Sequence, residues 1–203
     1  MQDETRLLGG GMAMLGIATA ALVVLPYMTV HDAPAPAGLK PYTAAELRGR
    51  QQYISQGCVY CHSQQPRAKS FAPDFDRGWG RASVAGDYAY DAPHLLGTMR
   101  TGPDLLNIGA RQPSEQWHLG HLYQPRTYMP GSVMPSYPFL FDLKDKLETG
   151  DVEVVLPKGT GPVGKVVVAR AEALDLVRYL KSLNRIYPVL PPPSVHSASE
   201  ANP

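Results

Sequence analysis

From Leu7 to Val30 the chain runs LLGGGMAMLGIATAALVVLPYMTV without a single charged residue, and no other feature restricts its fold as much. At 1.5 Å per residue, a helix of that length reaches about 36 Å, enough to cross a hydrocarbon layer of about 30 Å. Pro26 lacks the amide hydrogen that a helix interior needs, so the regular part is expected to stop at Leu25. Gly9, Gly10, Gly11, Ala13, Gly16, Ala18 and Ala20 offer a small-residue surface, on which a second membrane helix can approach closely. A cleaved export signal is the alternative, and Ala33–Gly38 (APAPAG) has suitable small residues for it. The apolar run, however, exceeds the roughly 7–15 residues of such signals, and the leader MQDETR sets two acids against Arg6 alone. Nothing later is long and apolar enough to cross again. The expectation is one uncleaved anchor with a domain outside the membrane.

The segments follow from composition. Residues 1–30 form the leader and anchor, and residues 31–41 (HDAPAPAGLKP) an extended Pro/Ala linker. Residues 42–187 form the folded domain, and residues 188–203 a proline-rich tail without periodicity. A hydrophobic fraction of 44% is enough for a core. Nineteen basic and eighteen acidic residues give a net charge of +1, which provides no basic face for nucleic acid. Two cysteines exclude a disulfide-rich scaffold. There is no phosphate loop, dinucleotide fingerprint or nucleophile elbow, so no catalytic residue is assigned.

Both cysteines fall in Cys58-Val59-Tyr60-Cys61-His62. The spacing C-x-x-C-H is that of covalent haem attachment: two thiols reach the two vinyl groups, and the adjacent histidine is held under the iron. A thiol redox pair would be expected beside a βαβ pattern, which is missing, and a structural zinc site needs four ligands. Thr43-Ala44-Ala45-Glu46 is a capping box that starts a helix running to Gly57. Ala173, Leu176, Val177, Leu180 and Leu183 lie at helical spacing within a second helix over 169–183. Two such helices at the ends of a domain, the first closed by C-x-x-C-H, resemble the class I cytochrome c fold. In that family the terminal helices cross at a glycine and an aromatic, which here match Gly49 and Tyr179. Residues 151–168 (DVEVVLPKGTGPVGKVVV) are expected to form two short strands around a Gly/Pro turn, a small β-hairpin insertion.

Outside the anchor and the flexible ends, Met99, Met129, Met134, His94, His118 and His121 remain as candidates for a sixth iron ligand. Cytochromes c bring a methionine there on a loop before the last helix, commonly within Met-Pro. Met134-Pro135 fits, with Met129-Pro130 as runner-up. A thioether ligand raises the potential relative to a second imidazole. Arg100-Thr101-Gly102-Pro103-Asp104-Leu105 is similar to the Gly-Pro-x-Leu segment of cytochromes c. That likeness implies that the Pro103 carbonyl accepts the second ring N–H of His62 and that Leu105 packs on the ring. Arg100, Arg111, Trp117, Arg126 and Tyr137 are candidate donors to the haem propionates. His118 and His121 share a helical face but lack a clear carboxylate or cysteine partner, so no further metal is expected there.

Between Lys40 and about Leu140 the chain resembles the membrane-anchored mono-haem cytochrome c subunit of cbb(3)-type cytochrome c oxidases. The stretches that carry the likeness are KPYTAAELRGR, GCVYCHSQ, SVAGDYAYDAP, RTGPDLLNIGAR and WHLGHLYQPRTYMPGSVMPSYPFL. Thr98-Met99 stands where that family's pattern has a Ser-Lys pair. The resemblance implies one covalent haem c, bound by Cys58, Cys61, His62 and Met134, with Pro103 and Leu105 beside it. It implies an electron relay from a c-type cytochrome donor, or a second cytochrome c subunit, to haem b of the catalytic haem–copper subunit. It also places the chain in a bacterial inner membrane, in contact with lipid, haem domain periplasmic and N-terminus cytoplasmic. The haem c subunit of a nitric oxide reductase and a free-standing tethered carrier are the alternatives.

Overall fold

The computed structural model describes residues 2–30 and 33–189. Helix α1 (Gln2–Thr19) opens the chain, widens into a π-helical segment (Ala20–Val24) and continues as α2 (Leu25–Val30). The stretch Asp3–Met28 contains an 18-residue window of mean hydropathy 2.0 and is long and apolar enough to span a membrane. The helix does not end before Pro26, contrary to expectation. The proline cannot donate to a carbonyl one turn back, and the wider turn, in which Leu25 N–H reaches the Ala20 carbonyl, makes room for its ring.

The rest of the described chain is a mostly helical domain with a small two-stranded sheet. Thr43 caps α3 (Ala44–Ser55): its hydroxyl accepts from Glu46 N at 3.3 Å, while Glu46 accepts from Thr43 N at 2.6 Å. Residues 61–107 then wind without regular helix or strand apart from a 3-10 turn at Ala85–Tyr88. Three short helices follow: α4 (Ile108–Arg111), α5 (Glu115–Tyr123, capped by the Ser114 hydroxyl) and α6 (Pro125–Tyr128). Strand β1 (Phe141–Lys144) pairs antiparallel with β2 (Val166–Ala169), Phe141 opposite Ala169, and α7 (Ala171–Ser182) closes the domain.

The expected hairpin over 151–168 needs correction. Its second arm is a strand, but the regular ladder forms with 141–144. The first arm contributes only the single bridge Glu153–Val168, flanked by bonds from Val154 N to Val167 O and from Ala169 N to Val152 O. This arm runs straight into Pro157 and the Gly/Pro turn, and its Val154 is buried in the same core cluster as Phe141. Residues 190–203, most of the expected tail, lie outside the described residues.

The core forms where α3 crosses α7. Tyr53, Ala173, Leu176, Val177, Tyr179 and Leu183 are all buried, and the Tyr53 and Tyr179 rings meet edge-on at 5.5 Å. The helices touch at Gly49, where a Cβ would collide with the Asp175 carbonyl and come within 2.8 Å of Tyr179 Cβ. Arg48 reaches Asp175 at 2.6 Å beside this contact, and Arg178 reaches it at 2.7 Å. Gly49→Ala is therefore expected to cost about 1–3 kcal/mol through forced separation of the helices. Arg48→Ala, on the same helix but largely exposed and with Arg178 still on Asp175, is expected to cost less than about 1 kcal/mol. Thermal melts of the two variants check this; equal melting temperatures would contradict a backbone-tight crossing.

Candidate haem-binding site

Helix α3 delivers the C-x-x-C-H segment. The chain reverses at Gly57 and makes one 3-10 turn (Cys58–Tyr60), so that Cys61 N and His62 N both donate to the Cys58 carbonyl, at 3.2 and 3.0 Å. Both thiols are free of a disulfide; Cys58 packs against the core and Cys61 is exposed. Burial pushes the Cys58 thiol up to about 11. A redox pair works with a thiol lowered to roughly 3.5–7.5, the opposite direction.

The His62 Nδ1 atom lies 2.8 Å from the Pro103 carbonyl oxygen. A carbonyl can only accept, so Nδ1 carries the hydrogen and Nε2 keeps its lone pair. Desolvation lowers the His62 pKa, which favours the neutral ring that a metal needs.

The placement of Pro103 rests on a clamp of main-chain and buried polar groups. Gly102 N donates to Cys61 O at 2.9 Å and Leu105 N to Ser63 O at 2.8 Å. Asp104, fully buried, accepts from Ser63 Oγ (2.6 Å), Gln65 N (2.6 Å) and Leu106 N (2.9 Å). Arg100 spans Asp74 at 2.5 Å and the Gln65 carbonyl at 2.7 Å, and Arg111 donates to the Asp104 carbonyl. Leu105 is buried in the core cluster that includes Tyr53, Leu95 and Ile108.

Among the three methionines, Met134 is half-buried against the core, while Met99 and Met129 are more than half exposed. Ser132 Oγ accepts from Met134 N at 3.2 Å and shapes the turn that presents it. His94 is exposed, and the His118 Nε2 is engaged by the Gln112 carbonyl at 2.8 Å. His121 takes a place that spacing did not suggest. Its ring stacks on Trp117 at 4.6 Å, nearly parallel, with Tyr128 edge-on, and burial holds its pKa down at about 4. The aromatic-rich stretch around α5 was the available signal.

These residues fit a haem. Tyr53 Oη, Arg81 Nε, Arg100 Nε, Arg111 Nε and His121 Nδ1 are buried side-chain atoms with no hydrogen-bond partner among the described residues. Of these, Tyr53 interacts electrostatically with Cys58, and Arg111 and His121 with His62, so these three lie in the neighbourhood of the C-x-x-C-H turn. Leaving such groups unpaired costs about 1–3 kcal/mol each, and a buried ligand bearing carboxylates is what would satisfy them. Of the propionate candidates, Arg111 and Arg100 both keep Nε unpaired, while their terminal nitrogens bond Asp104 O in the first case and Asp74 and Gln65 in the second. Arg126 is exposed, Trp117 has its ring face stacked on His121, and Tyr137 is half-buried against the core.

Residues 4–161 match the sequence profile of the family described as cytochrome c oxidase, mono-heme subunit/FixO. No curated protein matches the chain.

Asp104→Asn replaces an acceptor by an amide that turns N–H toward a donor, and is expected to cost about 1–3 kcal/mol in chemical denaturation. Ser63→Ala removes one of the three donors and is expected to cost about 1 kcal/mol. A neutral Asp104→Asn would mean that the clamp does not hold the Pro103 segment.

Proposed function

Since the chain belongs to the FixO family, the mono-haem subunits of cbb(3)-type cytochrome c oxidases, we propose that it relays electrons through one covalently bound haem c to the catalytic subunit of that complex. Its domain is read as class I cytochrome c-like, in keeping with the close α3–α7 crossing at Gly49 directly ahead of the C-x-x-C-H turn. Cys58 and Cys61 would hold the haem through thioethers, and His62 Nε2 and Met134 Sδ would ligate its iron. The acceptor is haem b of the haem–copper subunit, and the donor a c-type cytochrome. The domain lies on the periplasmic side of a bacterial inner membrane, where haem c is attached, and the N-terminus is cytoplasmic.

The observation that carries this reading is the hydrogen bond between His62 Nδ1 and the Pro103 carbonyl, next to two thiols free of a disulfide. When bound, the haem supplies the one-electron Fe(III)/Fe(II) couple. This chain's residues make and break no bond during turnover. Pro103 fixes the His62 tautomer and ring plane, and the Asp104 clamp fixes Pro103. Met134 keeps the potential above that of a bis-imidazole site. Leu105, Tyr53 and the Trp117–His121 stack exclude water, while Arg111 and Tyr53 take up carboxylate charge.

Two measurements test the reading. The alkaline pyridine spectrum of the complex that copurifies in mild detergent is expected to show haem c together with haem b. Haem c alone on a lone chain would favour the tethered carrier, and no covalent haem would overturn the proposal. Met134→Ala is expected to abolish the long-wavelength methionine-to-iron band of the oxidised protein, with Met129→Ala leaving it intact. The reverse pattern would transfer the ligand role to Met129.

A further inference from the structure

The linker after the anchor is docked on the domain. Pro34 and Pro36 lie on Gly86, where a Cβ would strike the Pro34 carbonyl and come within 3.1 Å of Pro36, and Gly38 lies flat on the Tyr187 side chain. Three residues separate Val30, the end of α2, from Pro34, so four Cα–Cα steps give a reach of at most about 14 Å. The patch around Gly86 and Tyr187 therefore sits close to the membrane surface, whatever path residues 31 and 32 take.

One loop grows out of this patch. Residues 67–82 are pinched at their base by Ser83 N donating to Pro66 O at 2.9 Å, which makes them an Ω-loop. The outgoing stem is tied to the linker contact. Arg81 pairs with Asp87 at 2.7 Å and lies 5.3 Å over the Tyr187 ring, and Tyr187 donates to Asp87 at 2.9 Å. The loop is held by its own contacts: buried Asp74 accepts from Arg67 N and Arg100, and Trp79 is buried with Arg77 and Arg100 over its ring. On this frame Phe71 is nevertheless 76% exposed and Phe75 49%. Lys69 sits 3.8 Å over the Phe75 ring and Arg67 5.3 Å over Phe71. With Asp74 and Arg81 paired internally, Arg67, Lys69 and Arg77 face Asp76 alone, so the outer edge is cationic.

We propose that this loop is a membrane-contact surface, resting on the phosphate-bearing headgroups of the bilayer that holds the anchor. Phe71 and Phe75 enter the boundary between headgroups and acyl chains, and Arg67, Lys69 and Arg77 meet the lipid phosphates. Anchor, docked linker and loop then give the domain two fixed points on the membrane, so its tilt is set. The proposal does not depend on the haem reading.

The test uses the full chain, alone and in its complete complex, in nanodiscs of mixed neutral and anionic lipid doped with a nickel-chelating lipid. A nitroxide is attached at Ser70→Cys, and a reference nitroxide at Val163→Cys on the fully exposed 157–164 turn. Label uptake by the unsubstituted chain reports separately on whether Cys58 and Cys61 are consumed. The Ser70 label is expected to show several-fold stronger nickel-induced relaxation than the Val163 label in both preparations. Adding Lys69→Glu and Arg77→Glu, or raising salt, is expected to abolish the difference. Equal relaxation at the two positions would overturn the proposal. Strong relaxation in the lone chain that disappears in the complex would also overturn it, in favour of a protein surface covering the loop. Relaxation unmoved by the charge reversals would remove the role assigned to the phosphates.

Discussion

The crossing of α3 and α7 sets the position of everything else in the domain. α3 ends in the C-x-x-C-H turn, so the angle and depth at which α3 lies on α7 determine where Cys58 and His62 are presented. Glycine at 49 lets the two backbones come into contact, and Tyr53 and Tyr179 fill the space on either side. The same tyrosine reaches beyond the crossing: Gln64 Nε2 donates to Tyr179 Oη at 3.1 Å, which ties the chain just after His62 to α7. Both ends of the five-residue motif are thereby fixed to one helix pair. A wider crossing would shift the motif as a unit and leave the buried Gln64 without its partner.

Most of the site, however, is carried by the irregular stretch 61–107, and irregular backbone can be buried only if its polar groups are satisfied. Here buried carboxylates do that. Asp104 serves two backbone amides and a hydroxyl, Asp74 serves an amide and a guanidinium, and Asp87 serves Val84 N, Arg81 and Tyr187. Burial alone would raise the Asp87 pKa, but its three donors outweigh burial and hold it below the ordinary carboxylate range. Asp104 goes the other way, desolvation raising its pKa despite its donors. The two acids thus mark different environments: Asp87 is compensated by a full charge at the edge of the domain, and Asp104 mainly by neutral donors next to His62.

What the sequence made legible was local. The Thr43–Glu46 box, the 3.6-residue periodicity before Leu183 and the C-x-x-C-H spacing are each written within a few residues. What stayed hidden depends on tertiary partners. Phe141–Lys144 has no stronger strand pattern than 151–156, and both bring apolar side chains to the core, so the choice of ladder partner for β2 is not written in either segment. Asp74, Asp87 and Asp104 read as surface charges until the amides they serve are known. His121 reads as half of a histidine pair until Trp117, one turn before it on α5, is seen to cover its ring. Pro26 failed differently: the rule against interior proline is sound, but a π-turn just upstream satisfies it without ending the helix.

The docked linker bears on how such a subunit works. A long flexible tether lets a redox domain sample many orientations, and transfer then depends on how often its reactive edge meets a partner. Here the contacts of Pro34, Pro36 and Gly38 hold the linker on the domain from Pro34 onward, which shortens the tether between anchor and domain. Ordering that chain has a conformational cost, reduced because Pro34, Pro36 and Pro41 already restrict the unfolded linker. A short tether of this kind suits a subunit that stays within one oxidase complex. It is the physical counterpart of the near-zero net charge, which provides no long-range steering toward diffusing partners.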